Sequence, residues 1–402
     1  MKKVSAPPLH KRLPAEFDPQ RAVWMGWPHN PNDWPGKFAA VKWAFVEMIR
    51  LLSRSQTVRL LVVSDGRRAE ARRMLTDSGA DMSHVEFVPM DLDRNWTRDI
   101  LPFFVRSSLP PTPPTPSACP GVPDQSDQSD QPAGPAGPVG PVGSVQPGGA
   151  CTPPTPAPLT AVRFAFNGWG KYPNHRKDLA AAPLVAGHLG LSMEEPAVAG
   201  RHVVLEGGAV DGNGRGDLLA TEECLLDQTT QVRNPGLGRA DYEAVFAAHL
   251  GVKNAIWLGR GVAGDDTHGH VDDFCRFVGP DTVVLCREGD PCDVNHRVLA
   301  ENRERLAGAR LACGAHLTVI DLPMPAPLAY KGVRLPASYA NFYIGNHVVL
   351  VPTFNDPRDR KALSIVADCF PGRAVHGVHA VELAWGFGAV HCLTHEEPTG
   401  EE

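Results

Sequence analysis

Along most of the chain, short apolar runs alternate with longer segments in which apolar residues recur at helical spacing. Residues 58–63 form such a run and predict a buried strand, whereas residues 37–53 show the spacing of a helix. After residue 160 the predicted order becomes regular: a pair of strands, then a helix, then a further strand. The predicted pairs lie at 203–206 and 218–221, at 271–278 and 282–286, and at 341–344 and 348–351.

This order recurs about five times when the N-terminal elements and a last predicted strand at 390–394 are included. The residues themselves do not repeat; only the order of elements does. If such units formed a ring, their connecting loops would lie around one central axis, and the charged loops could converge there.

Two regions fall outside this pattern. Residues 1–17 have no apolar run and predict an unstructured lead-in. Residues 107–160 are dominated by proline, glycine, serine and glutamine, and they cannot bury enough apolar surface to offset the entropy of ordering. We therefore predict one catalytic domain over 1–402, interrupted at about 107–160 by a disordered insertion that joins two strands.

Composition narrows the class of protein. The 402 residues carry a net charge of −6, which argues against nucleic acid or an anionic membrane as a partner. No stretch approaches the ~20 apolar residues of a membrane span, and the N-terminal segment has no secretory pattern. The nine cysteines are scattered without a C-x-x-C pair, so we expect reduced thiols and a cytoplasmic location.

The densest chemistry lies at 265–273, which contains four aspartates and two histidines. If the apolar segment that follows is a strand, His270 and Asp272 point to the same face. They could bind and protonate a cationic group, or they could hold a metal. The metal interpretation takes His268, His270 and Asp272 as zinc ligands, because the segment resembles the His-x-His-x-Asp-His motif. Asp273 replaces the histidine for a second metal, so a zinc hydrolase is kept as a remote alternative.

Near the C-terminus, Cys392 follows Gly386 and Gly388 and is the candidate nucleophile. A thiolate is strongly nucleophilic, and glycines let the backbone approach a ligand closely. A free cysteine is more often a small buried hydrophobic residue. On the predicted strand, His391 would point to the opposite face from Cys392, which favours a structural role.

Three carboxylates could bind a flat cation: Asp99, Glu206 and Asp272. A guanidinium group presents its donors in a rigid plane that carboxylates match. Taken singly, each acid is more often a surface charge or half of an ion pair, and the doublets at 265–266 and 272–273 are more often solvated.

Eight short segments, spread over the chain outside 107–160, resemble the agmatine deiminase and bacterial-type peptidylarginine deiminase family of the guanidine-modifying superfamily. They are PAEF at 14–17, WTRD at 96–99, NGWG at 167–170, LEGG at 205–208, TEECLL at 221–226, GHVD at 269–272, ASYANFY at 337–343 and HCLT at 391–394. The resemblance implies a five-bladed α/β-propeller (the pentein fold) of repeated ββαβ units with pseudo-fivefold symmetry.

The same resemblance implies an agmatine deiminase, which hydrolyses agmatine to N-carbamoylputrescine and ammonia in polyamine biosynthesis. Cys392 would attack the guanidinium carbon to give a covalent amidino-cysteine, and His270 would protonate the departing ammonia and later activate water. Asp99 and Asp272 would bind the guanidinium nitrogens, while Glu206 would contact the substrate or orient His270. No metal or organic cofactor is implied. The expected partner is a small cationic guanidine, and a homodimer is the oligomeric state that we consider.

Three departures from the family pattern lie beside these residues. The family usually has three glycines and an asparagine where this chain has GFGA at 386–389, ending in Ala389. Ile100 and Leu101 replace a small residue and a glycine, and His268 replaces a more usual polar residue. These departures do not replace any of the candidate catalytic residues, but they leave the identity of the substrate undecided.

The substrate decides what the rest of the pocket must contain. Agmatine ends in an ammonium group, for which acidic and aromatic neighbours are expected. The predicted substrate-binding residues are Trp96, Asp33, Trp27, Trp34 and Gly388. Free or peptidyl arginine is the alternative substrate, and free arginine would need a cation for its carboxylate, for which Arg176 and Arg233 are available.

Overall fold

The computed structural model describes residues 10–108 and 159–400. The strands of this part of the chain are β1 His10–Arg12, β2 Gln20–Gly26, β3 Thr57–Val62, β4 Val85–Pro89, β5 Phe103–Ser108, β6 Leu159–Val162, β7 Ser192–Glu194, β8 Ala197–Val198, β9 Arg201–His202, β10 Val210–Gly212, β11 Asp217–Thr221, β12 Asn254–Leu258, β13 Cys275–Gly279, β14 Thr282–Arg287, β15 Thr318–Pro323, β16 Ala329–Tyr330, β17 Val333–Arg334, β18 Tyr343–Ile344, β19 Val348–Thr353, β20 Ala374–His379 and β21 His395–Pro398.

The α-helices are α1 Phe38–Leu52, α2 Asp65–Asp77, α3 Thr97–Ile100, α4 Ala181–Leu189, α5 Glu222–Leu226, α6 Arg239–Val245, α7 Val294–Gly308, α8 Asp359–Cys369 and α9 Val381–Ala384. A π-helical turn, Phe246–Leu250, continues α6. Short 3-10 turns lie at Met82–His84, Asp178–Ala180, Gly207–Ala209, Val271–Asp273 and His391–Leu393. No helix of the described residues is long and apolar enough to cross a bilayer.

Five sheets of three or four strands form the blades of the molecule. Their strand orders are β21-β2-β3-β4, β1-β5-β6-β7, β10-β11-β12, β13-β14-β15 and β18-β19-β20. Each blade contains an antiparallel pair, and a helical connection then leads to a strand parallel to the second member of the pair. This is the predicted ββαβ unit, and the predicted five-bladed α/β-propeller is confirmed.

The ring of blades is closed by pairing between the two ends of the chain. β21 lies antiparallel to β2, with His395 opposite Trp24. The indole of Trp24 also donates to Glu397 Oε2 at 3.0 Å. Because the two ends of the chain share one blade, loss of the pairing between β21 and β2 would open the ring.

The central strands of the blades are apolar on both faces. In β19, for example, Val349, Leu350 and Val351 are all fully buried. Strands covered on both faces by helices and neighbouring sheets read as continuous apolar runs, which is why the sequence pattern located them. Burying one such side chain contributes about 1.5–3 kcal/mol.

The first strand of several blades begins later than the sequence predicts. β10 begins at Val210, β13 at Cys275 and β18 at Tyr343, and the predicted strand 390–394 is instead the 3-10 turn His391–Leu393. The residues before each strand form a buried turn or loop. Hydrophobic periodicity does not distinguish a short buried turn from the start of a strand. These turns carry the candidate site.

The chain outside the repeated pattern also differs from the prediction. The prediction of an unstructured N-terminal segment is wrong over 10–17, because β1 pairs with β5 and Glu16 is only 5% exposed. Main-chain pairing and ion pairs order this segment, and neither leaves an apolar signal in the sequence. Most of the predicted disordered insertion, 109–158, lies outside the described residues. The strands on either side of it, β5 and β6, pair with each other.

Candidate active site

One short segment lies before the inner strand of each blade, and these segments meet at the centre. Helix α3 precedes β5, and the turns Gly207–Ala209, Val271–Asp273 and His391–Leu393 precede β10, β13 and β21. In the remaining blade, the loop residue Asn341 precedes β18. Helix α3 packs against the turns at 207–209 and 391–393, and the turn at 207–209 packs against the turn at 271–273. The repeated fold therefore gathers side chains that are far apart in sequence.

Cys392 lies in the last of these turns and is 7% exposed. The Asn341 amide donates to its Sγ at 3.1 Å, and Asp272 Oδ2 lies 3.7 Å from the same sulfur. Burial, together with the carboxyls of Asp272, Asp273 and Asp99, raises the pKa of the Cys392 thiol well above its ordinary value. Before substrate binds, these groups therefore favour the neutral thiol form of Cys392.

His270 lies on the opposite side of Asp272 and is 1% exposed. Its Nδ1 is 3.9 Å from Asp272 Oδ1, and its Nε2 is 3.9 Å from Glu206 Oε2. Burial disfavours the imidazolium, but Asp99, Cys224 and Glu206 outweigh burial and raise the pKa of His270 well above its ordinary value. His270 is thus a protonated acid in a buried site.

The backbone around His270 is held by one side chain. The Asp265 carboxylate accepts from the backbone N–H of Gly269 at 2.6 Å and of His270 at 3.0 Å. A Cβ on Gly208 would come within 2.6 Å of His270 Nδ1, so only glycine leaves room for the ring there. The sequence interpretation of the doublets as solvated is wrong, since Asp265 has this role and Asp272 and Asp273 are 0% and 3% exposed.

The two other carboxylates are also buried and oriented. Asp99 accepts from the Trp169 indole at 2.9 Å and from the Gly208 N–H at 3.0 Å. Burial raises the pKa of Asp99, although the charge of His270 acts against this. Glu206 Oε1 accepts from Arg233 Nε at 2.9 Å. Burial alone would raise the pKa of Glu206, but Arg233 and His270 lower it to about 2.

Several polar atoms at this centre have no hydrogen-bond partner within the described protein. They are both ring nitrogens of His270, Glu206 Oε2 and Asp272 Oδ1. Buried polar atoms without a partner are rare in native proteins and mark sites where a ligand supplies the missing bonds. The two free carboxylate oxygens can accept from a ligand with several N–H groups, whereas a protonated His270 can only donate.

A cavity of about 200 Å³ connects this centre with the surface. Asp99 and Cys392 lie at its inner end, and Trp96 and Trp169 form aromatic walls. We call its outer part the mouth, which contains Asp33, Arg94, Tyr172 and Asp266.

Charged groups at the mouth are paired with one another. Arg94 lies 3.3 Å from Asp33 Oδ1, donates to Asn174 Oδ1 at 2.8 Å and stacks on the Tyr172 ring at 4.3 Å. Asp33 Oδ2 is buried without a partner. Burial raises the pKa of Asp33 to about 6, and the nearby Arg94 only partly opposes this.

The predicted substrate-binding residues divide into two groups. Trp96 and Asp33 line the cavity, and Gly388 lies directly behind it, where a Cβ would come within 2.6 Å of the Trp96 ring. Trp27 and Trp34 do not line the cavity. Trp27 is 1% exposed and donates to Glu70 Oε2 at 3.2 Å, and Trp34 is fully buried and donates to the backbone oxygen of Leu383 at 3.1 Å. Their prediction as pocket residues is corrected: both belong to the core, where aromatic residues usually lie.

The predicted cationic clamps are not placed to bind a carboxylate. Arg233 is fully buried and is occupied by Glu206 and by the backbone oxygens of Gln231 and Thr267. Arg176 is exposed and lies outside the cavity lining. Among the described residues that line the cavity, Arg94 alone is cationic.

The proposed zinc ligands are not brought together. His268 Nε2 pairs with Asp227 Oδ2 at 2.8 Å, away from His270 and Asp272. Within the described chain, two other groups lie close enough to share a metal: Glu206, Cys224 and His270, and Asp272, Asp273 and Cys392. Both groups reuse the side chains of the site described above, and Arg233 already neutralises Glu206.

The prediction that His270 and Asp272 are neighbours is supported by their 3.9 Å contact, but its reason is corrected: they lie at the start of a 3-10 turn and not on a strand. Sequence reasoning did not single out Asn341, which contacts Cys392, Asp273 and the backbone N–H of His391. Its position within the ASYANFY segment was the available signal.

Five ββαβ blades around a buried cysteine, histidine and group of carboxylates define the pentein class of α/β-propellers, and comparisons with known proteins agree. The chain belongs to the Porphyromonas-type peptidyl-arginine deiminase family, whose model matches residues 12–398.

Individual relatives cover nearly the whole chain. The agmatine deiminase of Pseudomonas fluorescens (strain SBW25) is 31% identical over 405 residues, covering 96% of this chain and 95% of that protein. The solved structure of the agmatine deiminase of Enterococcus faecalis is similar with a TM-score of 0.77 and 25% identity, covering 97% of this chain and 96% of that one. The C. jejuni agmatine deiminase with substrate bound (TM-score 0.75, 23% identity, 98% of each chain) supports the fold.

Proposed function

We propose that this protein is an agmatine deiminase, which hydrolyses agmatine to N-carbamoylputrescine and ammonia. The observation that carries the proposal is the thiol of Cys392 lining a cavity beside Asp99 and Asp272, with His270 3.9 Å from Asp272. The curated relatives named agmatine deiminase, at about 30% identity over nearly the full chain, support the same activity.

The guanidinium group binds at the inner end of the cavity. Its planar N–H groups donate to Asp99 and to the free Oδ1 of Asp272. The buried carboxylates are costly without a cation, so substrate binding supplies the charge that the site lacks. Trp96 and Trp169 exclude water from the flat faces of the substrate.

Binding of the cation also activates the nucleophile. The same carboxylates that raise the pKa of the Cys392 thiol are neutralised by the guanidinium, so the thiol releases its proton to solvent when substrate binds. The thiolate attacks the guanidinium carbon and forms a tetrahedral adduct.

His270 then acts as acid and base in turn. It transfers its proton to the departing nitrogen, the C–N bond breaks, and ammonia leaves an amidino-cysteine. The neutral imidazole next accepts a proton from water, which attacks the same carbon. The C–S bond then breaks, the proton of the added hydroxyl passes to the departing sulfur as the carbonyl of the product forms, and the thiol of Cys392 is regenerated. Glu206 Oε2, 3.9 Å from His270 Nε2, helps to orient the imidazole.

The mouth favours agmatine over free arginine. The unpartnered Oδ2 of Asp33 offers an acceptor for the distal ammonium, with Asp266 close by. The carboxylate of arginine would need a free cation, and Arg94 is already engaged by Asp33 and Asn174.

The organisation as one catalytic domain with an inserted Pro/Gly-rich segment, the cytoplasmic location and the homodimer remain predictions. None of the seven cysteines in the described residues is in a disulfide. Their reduced state in the cell stays a prediction.

Ammonia release from agmatine, arginine, peptidyl-arginine and methylated arginines tests the proposal. Agmatine should be hydrolysed fastest by the purified protein, including after treatment with a metal chelator. Hydrolysis of arginine with agmatine untouched would overturn the substrate, and loss of all activity on chelation, restored by zinc, would overturn the thiol mechanism.

A further inference from the structure

The PAEF segment at 14–17 has no part in the reaction described above, yet it reaches the buried centre. Glu16 Oε2 lies 2.7 Å from His391 Nε2, and Asp272 Oδ2 lies 2.6 Å from His391 Nδ1. All three side chains are at most 5% exposed. His391 therefore bridges a residue of the N-terminal segment and a carboxylate of the site.

The chemistry of this bridge fixes the protons on His391. An ionised carboxylate only accepts hydrogen bonds, so an imidazole between two of them donates from both ring nitrogens. A ring with an N–H on both nitrogens is an imidazolium, and His391 lies next to Cys392 in the chain.

Charged neighbours lower the pKa of both acids that face His391. Burial works against the charge of Glu16, but Arg276 at 3.1 Å, His391 and Arg98 at 2.9 Å lower its pKa. The backbone N–H of Ile344 adds a further bond to Glu16 at 2.7 Å. Burial also works against the charge of Asp272, and His391, His270 and Arg276 together lower its pKa.

The two carboxylate oxygens of Asp272 have different surroundings because of this bridge. Oδ2 is occupied by His391, whereas Oδ1 has no partner and lies on the side of His270. Rotation of the carboxylate would break the 2.6 Å bond to a cation. We propose that Glu16 and His391 are positioning residues for this reaction: Glu16 keeps His391 doubly protonated, and His391 holds Asp272 with Oδ1 aimed at the guanidinium.

The structure offers a matched pair of variants. Glu16 and Glu396 both pair with Arg98, at 2.9 and 2.6 Å, but of the two only Glu16 bonds to His391. Glu16→Gln and Glu396→Gln therefore each remove one of the two carboxylates from Arg98. Only Glu16→Gln also removes an anion from His391, and it removes one from Arg276 as well. The inference rests on the proposed function, because it assigns guanidinium binding to Asp272.

The pH dependence of kcat/KM for agmatine should separate the two variants. In Glu16→Gln, His391 no longer keeps Asp272 ionised, so the acid limb of the kcat/KM profile should move to higher pH. The value of kcat/KM at neutral pH should fall by up to about 10²-fold. In Glu396→Gln the limb should stay in place, even if both variants lose similar thermal stability. Equal profiles in the two variants would overturn the inference.

A second measurement does not depend on turnover. The ring ¹⁵N signals of His391, assigned by their loss in His391→Asn, should show two protonated nitrogens in the unmodified protein. A nitrogen without a proton overturns the inference, and this holds even if Glu16→Gln does not fold. An unmodified protein that releases no ammonia from agmatine, but shows two protonated nitrogens and the bridge, would instead contradict the proposed function.

Discussion

The inner centre and the mouth of the cavity are built in different ways. The inner residues, Cys392, His270, Asp272, Glu206 and Asp99, are at most 7% exposed, and they lie in or beside the turns that precede the blade strands. The mouth residues lie on longer loops, and most of them are partly exposed.

This difference suggests separate roles: the inner centre for the proposed reaction, and the mouth for selection of the substrate. Turns that are locked by the blades hold the reacting groups in one geometry, as the chemistry of a covalent mechanism requires. The residues of loops can be substituted without disturbing the blades. Substitutions at the mouth can therefore change which ligand binds. Variants at the two ends of the cavity should therefore affect kcat and KM differently.

The largest effect is expected at the nucleophile. Cys392→Ser should lower kcat for agmatine by at least about 10³-fold, because a hydroxyl cannot replace the thiolate. Ammonia release and circular dichroism measure activity and folding together. Cys313→Ser, at an exposed free cysteine, is the control and should keep full activity. Turnover retained in the Cys392 variant would exclude the thiol mechanism.

The second largest effect is expected at Gly208, which leaves space for the ring of His270. Gly208→Ala places a Cβ where it would lie 2.6 Å from His270 Nδ1, so the ring must move. We expect kcat to fall by about 10²-fold with KM less affected, since a displacement near 1 Å has this cost. Gly289→Ala, where a Cβ meets no atom within 4 Å, is the control. Equal activity of the two variants would show that the position of His270 is not critical.

At the mouth, the effect should appear in KM. Asp33→Asn removes the charge proposed for the distal ammonium, and the KM for agmatine should rise by about 10- to 100-fold, as for loss of a charged hydrogen bond. The kcat should change little, because Asp33 pairs with Arg94 and not with Cys392 or His270. Asp91→Asn, at an exposed residue that pairs with Lys177, is the control. A fall in kcat with KM unchanged would contradict the division of roles.

The smallest effect is a pH dependence of the same contact. Burial raises the pKa of Asp33 to about 6, so the carboxyl is neutral below that value and charged above it. The KM for agmatine should therefore rise as the pH falls, by at most about tenfold between about pH 7 and about pH 5. Steady-state kinetics of the unmodified protein and of Asp33→Asn test this. A dependence that persists in the variant would assign it to another group.

Much of the site was predictable because its chemistry demands particular residue types. A thiol, an imidazole and carboxylates occur in short motifs, and the structure brings Cys392, His270, Asp99, Glu206 and Asp272 together. Their catalytic roles remain part of the proposal.

The pocket walls were harder to predict. Trp27 and Trp34 were chosen for their ring chemistry and proved to be core residues, while Arg94 and Asn341 were not selected. Which face of a loop turns toward a cavity depends on blades that are distant in sequence, and no local pattern records it.

The repeated order of strands and helices can be predicted from the sequence, because apolar periodicity follows directly from burial. The candidate reacting groups can be selected from the sequence as well, through the short motifs that resemble the family. Only the tertiary structure decided that the residues before each inner strand form turns, and that Glu16 meets His391 across 375 positions of the chain. Those outcomes depend on the packing of five blades around one centre, which is a property of the closed ring and not of any single segment.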